Sequence, residues 1–199
     1  MQDEERWREL VRQVHTEAPI DAEAIPWRPA RIVLTRGCDR RPDEAIYCER
    51  LIAAYPEAEV VDRRDIAHNR VSVEGAGQVE RLANGKQTLV LGSIRSPVSE
   101  NWDPEAGAGT LCTHYHAVHP AWFCCYDCAF CYLAGSPGVA MSPTVRLFTN
   151  HLDILRAMGA VLSGKEGTHH AAPREQGTTI AVRRATAPSD VPSEARNPV

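Results

Sequence analysis

The sequence has no excess of positive charge. Its 22 Lys and Arg residues stand against 26 Asp and Glu, a formal net charge of −4 at pH 7, and residues 1–70 alone hold 12 arginines beside 15 acidic residues. Nucleic-acid-binding surfaces are usually basic, so net charge gives no argument for one here. A role on DNA has to be argued from other features.

Long apolar runs are also missing. No stretch of about 18 apolar residues occurs, so no membrane-spanning helix and no membrane partner are expected. The chain begins Met-Gln-Asp-Glu-Glu, which is acidic where a secretory signal peptide would be basic. We therefore expect a cytoplasmic protein, and its 43% hydrophobic content is ordinary for a globular one.

The last part of the sequence is poor in apolar side chains. Residues 164–199 contain no aromatic residue. So little apolar surface cannot offset the entropy of ordering the chain. We expect a low-complexity, mostly disordered tail over 165–199, with one strand at most at 178–182. The large aliphatic residues of this stretch are Ile180, Val182, Val191 and Val199.

The pattern of residues 28–110 predicts a small α/β domain. Arg31–Thr35 is a predicted strand, and Pro42, with acidic residues after it, opens a predicted helix. A second strand over 58–61 follows, and residues 87–94 give the strongest strand signal in the chain.

Two further helices are predicted on either side of this domain. Apolar residues at i, i+3, i+4 and i+7 predict an amphipathic helix over 4–15, within an N-terminal helix and linker of residues 1–27. The Pro-, Gly- and acid-rich residues 96–110 are predicted to form a loop. Later in the chain, Asn150 is a predicted cap of a helix that runs to about Ser163.

Seven cysteines are present, and five of them fall within 20 residues. In a reducing cytosol cysteines are thiols or metal ligands rather than disulfides. A cluster this tight is typical of metal binding. Cys38 and Cys48 stand apart, and we expect them to be buried without a role in the site. The clustered cysteines are Cys112, Cys124, Cys125, Cys128 and Cys131.

Cys124, Cys128 and Cys131 are separated by three and by two residues. Three thiolates at this spacing can wrap one 4Fe–4S cubane from a single loop and leave the fourth iron without a protein ligand. Such an open iron can chelate the amino and carboxylate groups of S-adenosylmethionine (SAM) and pass an electron into its sulfonium. The spacing therefore predicts an iron–sulfur loop for radical chemistry.

A zinc site is the alternative, because Cys/His zinc sites use similar short spacings. His114 and His116 would share one face of a strand, and His119 lies just before the cysteines. These histidines also fit ordinary polar positions at the end of a strand. Cys125 adjoins the first ligand, and the spacing favours Cys124 over it.

The segment CCYDCAFC, residues 124–131, resembles the radical SAM signature, with the aromatic Phe130 just before the last cysteine. Its extension CYL (131–133), a Gly/Pro loop and VRLFTN (145–150) are similar to the spore photoproduct lyase family in particular.

The order of the upstream segments is similar to the same family. An arginine-bearing helical segment, CERLIAAYPEAEVV (48–61), precedes the strand segment KQTLVLG (86–92). The resemblance covers roughly residues 28–165. It implies an α/β fold in which the N-terminal domain is followed, over 111–164, by the start of a partial radical SAM β/α barrel, with the cluster loop after the first strand.

The resemblance also implies the chemistry. The reduced cluster on the three cysteines would cleave SAM to methionine and a 5′-deoxyadenosyl radical, for repair of UV-induced thymine lesions in DNA. The implied partners are UV-damaged DNA and an electron donor such as a flavodoxin or a ferredoxin, and we expect a monomer.

Further side chains near the motif are open to two interpretations. Phe130 is either a wall near the adenine of SAM or a core aromatic. Tyr132 is expected to pack around the cluster loop rather than to relay a radical. Lys86 and Arg95 flank a predicted strand and are expected to be solvated, with a phosphate contact as the alternative.

The family's remaining barrel strands have no counterpart here apart from 178–182, and no Cys or Tyr follows Tyr132. This change in character predicts a truncation or a reading-frame change after the first barrel unit. One β/α unit cannot close a barrel, so the presence of the motif does not by itself imply catalytic competence. A radical SAM enzyme for another substrate, and a non-catalytic iron–sulfur or zinc-binding module, remain the alternatives.

Overall fold

The computed structural model describes residues 2–24, 27–101, 115–126 and 143–163. A short 3₁₀ turn covers His68–Arg70. The helices are α1 (Gln2–Thr16), α2 (Pro42–Ala54), α3 (Gln78–Lys86) and α4 (His151–Leu162), and the strands are β1 (Arg31–Thr35), β2 (Glu59–Arg63), β3 (Thr88–Gly92), β4 (Val98–Asn101), β5 (Tyr115–Val118), β6 (Ala121–Trp122) and β7 (Val145–Phe148).

Within these residues, four parallel strands and one antiparallel strand form the main sheet, in the order β2-β1-β3-β7-β6. β1 pairs in parallel with β2 and β3, and β3 pairs in parallel with β7. The short β6 runs antiparallel to β7. A separate antiparallel pair joins β4 to β5. The predicted α/β class is therefore confirmed.

The sequences of β1 and β3 explain their central places in the sheet. Both strands are buried along almost their whole length, and both are continuous, mainly apolar runs rather than alternating ones. A strand that is covered on both faces needs such a run. α2 covers one face and the chain after β2 covers the other. The first face buries Ile32, Leu34, Cys38, Cys48, Leu51, Leu89 and Leu91, and the second buries Val33, Val71 and Val90.

The predicted elements of the N-terminal half are confirmed with small shifts at their ends, and Cys38 and Cys48 are buried as expected. The loop predicted for 96–110 is wrong at its beginning, because β4 forms there and pairs with β5, Val98 lying opposite Val118. The β4 sequence VSEN is mostly polar and its partner is distant along the chain. Local pattern therefore cannot reveal this strand.

Both predicted halves of the chain contribute to the main sheet. β3 belongs to the predicted domain 28–110, and β7 belongs to the predicted barrel unit 111–164. The two strands lie side by side, with Leu89 opposite Val145. The predicted tail 165–199 lies outside the described residues. In the described ranges, no helix has both the length and the apolar character that crossing a membrane requires.

A pair of histidines, His15 and the half-buried His151, joins three helices. His15, near the end of α1, is fully buried, and its Nδ1 lies 2.8 Å from Oδ2 of Asp43 in α2. Its Nε2 lies 2.8 Å from Nδ1 of His151, the first residue of α4. The ring of Tyr47 stacks on His15 with the centroids 4.7 Å apart. An ionised carboxylate only accepts hydrogen bonds, so Nδ1 of His15 carries a proton, and neutral His15 then accepts at Nε2 from His151.

Asn150 stands at the start of α4 as predicted, but its side chain does not cap the helix backbone. Its Oδ1 accepts a hydrogen bond from the backbone N–H of Ile94 at 3.0 Å, and its Nδ2 donates to the Ile94 carbonyl at 2.9 Å. The predicted capping role is wrong because the carboxamide is engaged by this distant backbone. The side chain ties the start of α4 to the chain after β3.

Replacing Asn150 by alanine is expected to lower the free energy of unfolding by about 2 kcal/mol, because both partly buried backbone groups of Ile94 lose their partner. Urea denaturation followed by circular dichroism measures the change. The matched control is N69A, since Asn69 is exposed, and it should leave the free energy unchanged. Equal stabilities of N150A and N69A would contradict the role assigned to Asn150.

Candidate functional site

The first two cysteines of the candidate loop follow β6 closely. Cys124 and Cys125 are free thiols, and each is half-buried. Phe123, just before them, has a φ of 66°. This is the left-handed region, which bulky residues rarely adopt. The conformation of Phe123 turns the chain out of β6 and into the cysteines.

The cysteine segment leaves the sheet at the amino-terminal edge of its parallel strands. β6 runs antiparallel to β7, with Ala121 opposite Leu147 and Trp122 opposite Arg146. The chain that continues into Cys124 therefore passes the start of β7. The strand before the cysteines is this short antiparallel strand, and not one of the parallel strands of the described sheet.

A buried ammonium group lies against the start of this segment. Lys86, the last residue of α3, is 7% exposed, and its Nζ donates a hydrogen bond to the carbonyl of Tyr126 at 2.5 Å. The indole Nε1 of Trp27 donates to the Lys86 carbonyl at 2.9 Å. The expectation that Lys86 is solvated is wrong, because residues distant in sequence cover it. Arg95 is exposed, as expected.

The same turn of α3 contacts the chain that leads into β7. A Cβ atom placed on Gly85 would lie 2.0 Å from the carbonyl oxygen of Pro143. Only glycine allows such a close approach of two backbone segments. Gly85 and Lys86, which we call the α3 turn, therefore contact the chain on both sides of residues 127–142.

Opposing electrostatic effects act on the Cys125 thiol at this turn. Burial and the adjacent Cys124 raise the pKa of the Cys125 thiol above its usual value, and the positive charge of Lys86 acts in the opposite direction. Metals bind the thiolate form, which a nearby cation favours. Of these two thiols Cys124 is the predicted ligand, and thiolates are the usual ligands of an iron–sulfur cluster.

Cys128, Cys131, Phe130 and Tyr132 lie outside the described residues, as does His114. Their roles stay predictions. In the ranges that the structure describes, no group of three or more His, Cys, Asp or Glu side chains is arranged to hold a metal ion.

Two of the candidate zinc-binding histidines lie near the β4–β5 pair. Nε2 of His119 is 2.8 Å from Oγ of Ser99, and its ring packs on Trp122 with the centroids 5.2 Å apart. His116 lies on β5 and is exposed. Both positions fit the interpretation as polar residues at a strand end, and neither belongs to a metal-binding group of the described residues.

The carboxyl-terminal edge of the main sheet holds an imidazole that the sequence does not single out. Nδ1 of His68 is buried without a hydrogen-bond partner among the described residues. Its ring meets Phe148 edge to face, with the centroids 4.8 Å apart. Burial, together with the charge of Arg146, lowers the pKa of His68 to about 4. His68 is therefore a neutral polar group at the edge where open α/β sheets commonly bind ligands.

The sequence matches no family model and no curated protein. Solved structures do match the fold. Spore photoproduct lyase complexed with dinucleoside spore photoproduct superposes with a TM-score of 0.54 at 20% identity, over 72% of this chain and 38% of that chain. A variant of the lyase with bound AdoMet and dinucleoside spore photoproduct gives 0.54, at 20% identity, over 71% and 38%.

This chain thus spans 38% of the length of the lyase chain. The parallel sheet and its flanking helices lie within the part of the chain that the sequence resemblance covers. At this identity the likeness concerns the fold. Over 72% of its length, the chain has the fold of a part of spore photoproduct lyase that makes up 38% of the lyase chain.

Proposed function

We propose that this chain is a spore photoproduct lyase-like radical SAM protein. Cys124, Cys128 and Cys131 would hold a 4Fe–4S cluster. The bound cluster, with SAM, would supply reductive cleavage of SAM to methionine and a 5′-deoxyadenosyl radical. The proposed substrate class is a UV-induced thymine lesion in DNA.

The single observation that carries the proposal is the x3-x2 cysteine spacing within a chain that has the lyase fold. Either part alone would be weaker support. One fold can serve many unrelated functions, and short cysteine spacings also occur in zinc sites. The combination favours iron–sulfur chemistry over zinc.

The chain's own residues have defined tasks in this proposal. The left-handed turn at Phe123 directs Cys124 away from the sheet. Lys86 holds the carbonyl of Tyr126 and so fixes the start of the loop. Phe130 forms a wall near the adenine, and Tyr132 packs around the loop.

The substrate class is supported by the lyase structures, which contain a dinucleoside spore photoproduct. A lesion within a duplex would have to be flipped out of the stack, and its weakened pairing lowers the cost. The electron comes from a donor such as a flavodoxin or a ferredoxin. We propose that the protein acts in the cytoplasm as a monomer.

Anaerobic reconstitution tests the proposal. The purified chain is incubated with iron and sulfide, and then iron, sulfide, zinc and the visible spectrum are measured. About four irons per chain and a brown colour are expected. With dithionite and SAM, we expect release of 5′-deoxyadenosine, and an oligonucleotide that carries the lesion should lose it while an undamaged one stays unchanged.

Two other outcomes separate the alternatives. Four irons without nucleoside release would indicate a cluster-binding scaffold. Stoichiometric zinc in a colourless protein would overturn the proposal in favour of a zinc module.

A further inference from the structure

The α3 turn touches the chain at both ends of the segment that carries Cys128 and Cys131. On one side, the Lys86 ammonium donates to the carbonyl of Tyr126 at 2.5 Å. On the other side, Gly85 leaves no room for a Cβ beside the Pro143 carbonyl, 2.0 Å from the position it would occupy. Two consecutive residues therefore meet the two ends of one loop.

The position of the α3 turn is itself fixed from three directions. The indole of Trp27 donates to the Lys86 carbonyl at 2.9 Å, and Oγ1 of Thr88 donates to the carbonyl of Asn84 at 2.9 Å. Directly after the turn, β3 enters the centre of the main sheet. A turn held in this way can act as a rigid support for the chain that it contacts.

The reach of the chain places the Lys86 charge near the cysteines. Tyr126 is two residues from Cys124 and two residues from Cys128. Two residues span roughly 7 Å at full extension, so neither cysteine Cα lies farther than this from the Cα of Tyr126. The ammonium that donates to the Tyr126 carbonyl therefore lies within roughly 12 Å of the Cα of Cys124, a described ligand candidate.

A cluster held by three thiolates would carry a net negative charge. Three thiolates and a core of charge +2 sum to −1, and the electron that reduces the cluster brings the sum to −2. A buried cation favours both the thiolate ligands and the added electron, since charges interact more strongly away from water. Lys86 is 7% exposed, so its charge is poorly screened.

We propose that the α3 turn is the anchor of the cysteine loop, and that Lys86 is a positioning residue whose charge stabilises the reduced cluster. Gly85 seats the end of the loop that leads into β7, and Lys86 holds the end that carries Cys124. This inference rests on the proposed function, because it requires that the loop binds a cluster.

The test compares reconstituted full-length variants. K86M should lose iron to a chelator about tenfold faster than the wild type, a size typical of residues that orient metal ligands. Its midpoint potential, measured by dithionite titration with electron paramagnetic resonance, should be more negative, because the positive charge is gone. K86R keeps the charge and should restore the potential. The matched control is R81M, which removes an exposed charge from the same helix and should change neither quantity.

G85A separates anchoring from charge. Alanine is the better helix former, so local propensity predicts no harm from this change. We expect instead a faster loss of iron with an unchanged potential, because the loop end at Pro143 is displaced while Lys86 remains. Circular dichroism is used to check that each variant folds. If K86M does not fold, K86Q replaces it.

The outcomes are distinct. A wild-type chain that binds a cluster, together with K86M and G85A variants that retain it as long and at the same potential, would overturn this inference alone. A wild-type chain that binds no cluster would overturn the proposed function and this inference together.

Discussion

Replacing Cys128 by alanine is expected to abolish formation of the iron–sulfur cluster. The spacing assigns Cys128 the middle of three ligands, and no other cysteine lies between residues 126 and 130 to replace it. Iron content after anaerobic reconstitution should fall from about four per chain to near zero, and the brown colour should be lost. Nucleoside release should disappear with the cluster.

The neighbouring thiol provides the matched control. Cys125→Ala removes one cysteine from the same loop and should retain the full iron content, because Cys125 is outside the x3-x2 pattern. Cys124→Ala should show an intermediate iron content, since the adjacent Cys125 thiol can serve as a poor substitute. An intact cluster in C128A, or an equal loss in C125A, would contradict the ligand assignment.

Acidification from pH 6.5 to pH 4 is expected to destabilise the fold through its buried histidines. Burial, with the charge of His15, lowers the pKa of His151 to about 4, and burial lowers the pKa of His15 below its ordinary value. The unfolded chain therefore takes up protons in this window while the folded chain resists them. Stability is full above pH 6.5 and is lost as the pH falls. For His151 alone the loss amounts to about 3 kcal/mol.

The charged groups around His15 determine how readily its imidazole is protonated. The carboxylate of Asp43 favours protonated His15, whereas the charges of Arg41 and Arg50 oppose it. Arg50 also donates to the His15 carbonyl at 2.7 Å, which holds the end of α1. Two protonated imidazoles cannot share the short contact between His15 and His151, so the junction of α1 with α2 and α4 should weaken first.

Urea denaturation at pH 7.5, 6.5, 5.5 and 4.5 measures this loss. H151N keeps an N–H donor where Nδ1 stands and does not titrate, so its stability should depend less on pH. H116N is the control, because His116 is exposed, and it should follow the wild type. Parallel curves for H151N and the wild type would contradict the assignment. His68 adds to the wild-type loss with the same sign, because its pKa is also lowered to about 4.

The fold could be predicted wherever the signal was local. The continuous apolar runs of β1 and β3 indicated buried strands, and Pro42 with its acidic neighbours marked the start of α2. β4 could not be predicted, because its polar sequence becomes a strand only through pairing with β5. The hydrogen bonds between the Asn150 side chain and the Ile94 backbone could not be predicted either, since asparagine suits both a helix cap and such a backbone contact.

The candidate site also has some features that the local sequence reveals and others that only tertiary contacts reveal. The cysteine spacing is a property of consecutive residues and is visible in the sequence. The α3 turn is not, because Gly85 and Lys86 meet Pro143 and Tyr126 only once β3 and β7 have paired. A lysine at the end of a helix normally ends in solvent, and only tertiary contacts reveal that this one is buried. His68 was missed for the same reason.

The left-handed backbone at Phe123 limits how far the cysteine loop can be studied in isolation. A bulky residue at a φ of 66° costs about 1–2 kcal/mol relative to an ordinary conformation. In the protein, the pairing of β6 with β7 offsets that cost. A synthetic peptide of residues 121–133 lacks β7 and would relax to another backbone angle, so its affinity for iron should underestimate that of the folded chain.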